Sequence, residues 1–133
     1  MSRSKYSEYA DGRANAALWR KAVERAISGK RGQAFLRELL AALDAMPVKR
    51  LIAGELLTAD GGVCAIGSVA VRRGVNVADV DPHDADEVGK VFGIACAMAR
   101  EIEHVNDEIF GEDTPEERWV AVRDWVNSNL GAS

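Results

Sequence analysis

The chain has 133 residues, 47% of them apolar and 29% charged, with a net charge of −4 and two cysteines, Cys64 and Cys96. That length suits one ordinary core without disulfide staples, and no apolar stretch runs uncharged for the ~20 residues that a membrane span needs. A disulfide scaffold, a membrane protein and a secreted precursor are set aside, and a cytoplasmic protein with reduced thiols is expected.

The charge is unevenly spread. Residues 1–50 hold eleven Lys and Arg against five acids, and the remainder hold six against sixteen, so a part at +6 precedes a part at −10. Such a split lets the basic part meet nucleic acid or an acidic partner, or lets the two parts complement each other within the fold. The dispersal of the basic residues favours the second.

Residues 1–11 are polar and aperiodic, which predicts a mobile polar arm ahead of a single helical domain over 12–133. From Gly12 the spacing of Leu18, Ala22, Val23, Ala26 and Ile27 predicts a helix stopped by Gly29, with "SGKRGQ" as a loop. Phe35, Leu36, Leu39, Leu40, Leu43 and Met46 predict a second helix, ended by Pro47. Residues 48–73 are ambiguous. "LIAGELL" and "VCAIGSVAV" flank the turn signal "ADGG", which allows one short β-hairpin around residues 51–71. Strict alternation is missing, so two short helices are favoured, the second apolar all round and hence buried.

Asp81 and Pro82 look like a cap and first-turn pair for one long helix through Val88, Val91, Phe92, Ala95, Ala99, Ile102, Val105 and Ile109. Gly89 and Gly93 would mark a bend or a close helix crossing. "TPEE" predicts a capping box, with Thr114 as cap, Pro115 first and Glu117 reaching back, opening a helix whose core face is Trp119, Val122, Val126 and Leu130. The expected fold is mainly α, a single compact domain of about five helices.

Catalytic and metal signals are weak. Cys64, framed by glycines in "GGVCAIGSVAV", has only Val63, Ala65 and Ile66 beside it and no local imidazole, so a small buried hydrophobe is the simpler role. Gly62 and Gly67 lack the spacing of a phosphate loop, and Gly67 would let a neighbouring helix approach. Cys64, His83, Cys96 and His104 are separated by 19, 13 and 8 residues, without the short pairs of a zinc site. Glu101 and His104 have the Glu-x-x-His spacing of di-iron helices, but no second such pair exists. No cofactor or metal is expected. The acids of segment 83–109 and a pI near 5.2 argue against nucleic acid as the main partner.

"GGVCAIGSV" together with "HVNDEIFGEDTPEERWVAVRDWV" resembles small phage, prophage and actinobacterial proteins of unknown function. Their pattern is Cys-Ala-Leu-Gly-Ala after a glycine, then an Asn-Asp pair, a short loop and Thr-x-Glu-Glu. The matching positions are Cys64, Ala65, Ile66 and Gly67, then Asn106 and Asp107, then Thr114, Glu116 and Glu117. The likeness spans roughly residues 50–130 and departs from the pattern at Val105 and Ser68. It implies a helical fold and a phage-type setting, but no known activity.

The expected function is a non-enzymatic interaction module that docks on a host protein or on its own copy, in one version inhibiting a host defence complex through an acidic face. The interaction residues would be Trp19, Arg20, Lys21, Arg25, Glu101, Glu103, Asp107, Glu108, Glu112, Asp113 and Trp125. The alternatives are a cysteine-dependent enzyme using Cys64 with Asn106, Asp107 or His104, and a nucleic-acid binder through the basic helix over residues 13–31.

Overall fold

The computed structural model describes residues 12–107 and 114–131. The predicted arm lies outside them. Six helices occur among the described residues: α1 (Gly12–Ser28), α2 (Lys30–Ala45), α3 (Ala65–Arg73), α4 (Ala85–Phe92), α5 (Cys96–Asp107) and α6 (Pro115–Asn129). None is long and apolar enough to cross a membrane. All six feed one buried cluster, with α2 packed against α1, α3 and α6, and α5 against α1, α3, α4 and α6.

The α1 stripe is rotated from the expected one. Val23, Ala26 and Ile27 face the core as expected, but Leu18 is 65% exposed and Trp19 joins the stripe in its place, giving the i, i+4, i+7, i+8 spacing of one helical face. The expected loop "SGKRGQ" shrinks to Gly29, whose extended backbone separates α1 from α2. The corner is tight because Gly32 has no side chain: a Cβ there would lie 1.9 Å from the Ala26 carbonyl oxygen. Gln33, 3% exposed, fills the inside of the corner, its Nε2 donating to the carbonyls of Ile27 and Asn129, both at 2.9 Å, while its Oε1 accepts from Gly131 N–H at 3.0 Å.

In α2, Phe35, Leu36, Leu39 and Leu43 are all but fully buried. Met46 turns extended ahead of Pro47, as the proline ring demands of its predecessor. On the outer side Arg73 makes a two-pronged pair with Glu38 at 2.7 and 2.6 Å, its guanidinium 5.9 and 5.6 Å from the Phe35 and Phe92 ring centres. Hydrogen bonding to Arg73 outweighs burial and holds the Glu38 carboxyl below its ordinary 4.5. A depressed carboxylate stabilises fully above its unfolded pKa and loses that contribution as pH falls through the folded value. Arg73→Gln is expected to flatten this acid-side slope, seen by comparing urea midpoints of the two proteins between about pH 3 and pH 6.

Neither expectation for the 51–71 region is met in full. Among the described residues there is no strand, and the hairpin reduces to a single antiparallel bridge between Leu57 and Val63 around the Thr58–Gly62 turn. The first of the two short helices is absent too, because Gly54 takes a left-handed φ of 84° and the chain runs irregularly past the fully buried Leu51. The second short helix is α3, buried from Ala65 to Ala70 and closed by left-handed Gly74. What approaches Gly67 is this irregular segment rather than a helix: a Cβ on Gly67 would lie 1.8 Å from the Leu56 carbonyl oxygen.

The single long helix expected after Asp81 is two. Asp84, not Asp81, caps α4, its side chain accepting from Glu87 N–H, and Gly93 ends α4 with φ 76°. The chain then folds back so closely that a Cβ on Gly89 would meet the Ile94 carbonyl at 2.6 Å. Ile109 lies outside the described residues. At α6 the capping box forms in full: Glu117 N–H donates to Thr114 Oγ1 at 3.1 Å, and Thr114 N–H to Glu117 Oε1 at 3.0 Å. Val122 and Val126 are completely buried, and Trp119 and Leu130, expected on the same core face, are partly buried against it.

Candidate functional site

Cys64 is the N-cap of α3. Its Sγ accepts from Gly67 N–H at 3.3 Å, so the thiol does structural work beyond filling space. It is 8% exposed, and burial pushes its pKa up to about 12. The crevice beside it, walled by Leu56, Ile66, Pro82 and Ile102, has a volume of about 20 Å³, room for roughly one water. A thiol so placed carries almost no thiolate at neutral pH. In a Cys96→Ser background, Cys64 is expected to resist alkylation in the native protein and to react only as the chain unfolds, as a thiol-trapping time course with and without denaturant would record.

Asn106 does face Cys64's neighbourhood, but as a tie. It is 3% exposed; its Oδ1 accepts from Ala65 N–H at 3.0 Å, and its Nδ2 donates to the Ile52 carbonyl at 2.8 Å and to Asp107 Oδ1 at 2.6 Å. The end of α5 is thereby fastened to the start of α3 and to the irregular segment. Asp107 Oδ2 accepts in turn from Gly54 N–H at 3.3 Å. Among the described residues the Asn-Asp pair holds the segment before α3; residues 108–113, which lead to α6, lie outside the described residues.

On the solvent side of this junction lies a group that spacing along the chain conceals. His83, on the loop before α4, pairs through Nδ1 with Glu103 Oε2, and one donor atom from each of His83, Glu103 and Asp107 falls within 4.8 Å of the others. Glu103 and Asp107, four apart on α5, share one helical face. The Glu103 carboxylate, chiefly by hydrogen bonding, raises the His83 pKa, with Asp81 and Asp107 adding to the effect. Among the described residues this is the set that could hold a metal ion. The i, i+4 carboxylates are visible in the sequence; the histidine that joins them from another element is not.

The predicted interaction residues divide among separate surfaces. Trp19, Arg20, Glu101 and Glu103 line a groove of about 600 Å³ between α1 and α5, where Arg100 lies 5.3 Å from the Trp19 ring centre. Basic and acidic parts of the sequence thus meet there. Lys21 and Arg25 are exposed elsewhere on α1. Trp125 lines a shallow surface of α6 beside Val120, which is 51% exposed. Glu108, Glu112 and Asp113 lie outside the described residues. Comparison of the chain with protein-family models, with curated proteins and with solved structures returns no match.

Proposed function

We propose that the protein is a non-enzymatic interaction module that docks through an acidic face on a basic surface of a host protein, in the manner of a phage- or prophage-borne inhibitor of a defence complex. The observation that carries this is the stretch 74–89, which holds Asp79, Asp81, Asp84, Asp86 and Glu87 with no Lys or Arg. The four aspartates are exposed, and Asp81 lies near enough to His83, Glu103 and Asp107 for their charges to act together. Carboxylates grouped on one face concentrate negative potential and steer a basic partner, and such attraction weakens as salt screens it. The burial of Cys64 removes the support for a thiolate enzyme.

The experiment is capture from host lysate at low and at high salt, with the native chain and with an Asp79→Asn, Asp81→Asn, Asp86→Asn variant as baits. One stoichiometric protein should be held by the native chain at low salt, released at high salt and lost with the variant. Retention indifferent to both salt and the substitutions would refute the acidic-face reading.

A further inference from the structure

The His83, Glu103 and Asp107 cluster differs from an ordinary acidic surface in donor chemistry and in support. It joins an imidazole nitrogen to two carboxylates, and the donors come from two elements, the loop before α4 and the outer face of α5. Asp107 is oriented from behind: one of its oxygens accepts from buried Asn106 at 2.6 Å and the other from Gly54 N–H at 3.3 Å. Partners of this kind fix a ligating carboxylate and leave its remaining lone pairs for a cation. The His83 loop is held by its own turn, His83 N–H donating to Asp81 Oδ1 at 2.9 Å and Asp84 N–H to the Asp81 carbonyl at 3.1 Å.

We propose that His83, Glu103 and Asp107 bind one divalent cation of the zinc class, with water in the remaining position. A nitrogen donor selects zinc and its first-row neighbours over magnesium and calcium, which prefer all-oxygen shells. Three protein donors plus water is the arrangement of an open tetrahedral zinc site. Bonds of about 2.1 Å would place the donors roughly 3.4 Å apart; the three donor atoms lie within 4.8 Å of one another, and the hydrogen-bonded His83–Glu103 pair would part slightly to admit the ion. The His83 side chain is 60% exposed, which leaves it room for that adjustment. The two carboxylates, with Asp81 nearby, supply the negative charge that a dication needs.

The test is calorimetric titration of zinc chloride into the full chain in a non-chelating buffer, with cobalt as a spectroscopic stand-in. One saturable site is expected, weakened more than tenfold in His83→Ala and in Glu103→Gln and unchanged in Cys96→Ser and His104→Ala, with a cobalt spectrum free of thiolate charge transfer. His83→Ala is on the surface, and its circular dichroism should match that of the native chain. No saturable binding overturns the proposal, as does binding that survives His83→Ala or disappears with Cys96→Ser. The salt-dependent capture above is independent of this result, since it requires no metal.

Discussion

Gly67→Ala is expected to leave little folded protein. The added Cβ would stand 1.8 Å from the Leu56 carbonyl oxygen and 2.8 Å from its carbon, and both atoms are backbone. A flexible side chain could swing away from such an intruder. The segment carrying Leu56 is pinned by Cys64 N–H donating to that same carbonyl at 3.2 Å and by Ile52 N–H donating to Val63 at 2.9 Å. Relief must therefore push α3 off the segment, opening the core around Ala65, Ile66 and Val69 and loosening the cap from Cys64 to Gly67. A cost of about 4 kcal/mol or more follows, a large share of the stability of a domain this size. Gly54→Ala is the control. Its Cβ meets nothing within 4 Å, so only the left-handed φ of 84° is strained, at about 1–2 kcal/mol. Urea midpoints should separate the two widely; similar midpoints would show that the segment yields.

Asn106→Ala should be nearly as damaging for a different reason. The substitution removes the acceptor for the buried Ala65 N–H and the donor to the part-buried Ile52 carbonyl and to Asp107, leaving both backbone groups without their side-chain partner. Each buried unsatisfied group costs about 1–3 kcal/mol, so a loss near 3 kcal/mol is expected. Asn106→Asp tests the direction of the bonds. An ionised carboxylate still accepts from Ala65 but repels the Ile52 carbonyl and Asp107, so at neutral pH it should be worse than alanine. Burial and that repulsion raise the new carboxyl's pKa, and a group raised on folding costs stability above its unfolded value. The deficit should therefore shrink as pH falls toward about 4, where the protonated acid can donate to Ile52. A pH-independent deficit would show that the donor to Ile52 does not matter.

Elements written in short-range signals are legible in the sequence. The α6 start needs only Thr114, Pro115 and Glu117, all within one turn, and the apolar run of α3 predicts its burial whatever surrounds it. Backbone events decided by close approach are not legible. Gly29 ends α1 as expected, yet the next helix starts at once, because the bare Gly32 lets α2 nest against the Ala26 carbonyl. Gly93 looks like a bend in one long helix and is instead a left-handed stop between two. For the candidate site, Glu103, Asp107 and Asn106 stand out by charge and position on α5. His83, twenty residues from Glu103, joins them only through the fold, and pairings of that kind leave no local pattern.

Gln33 bears on biosynthesis. Its amide completes its hydrogen bonds only with Asn129 and Gly131, nearly a hundred positions later. A chain emerging from the ribosome N-terminus first can form the α1–α2 corner early, but that corner must keep an unsatisfied or wetted amide at its centre until the end of α6 has been made. The corner between α1 and α2 is sealed by the turn that follows α6.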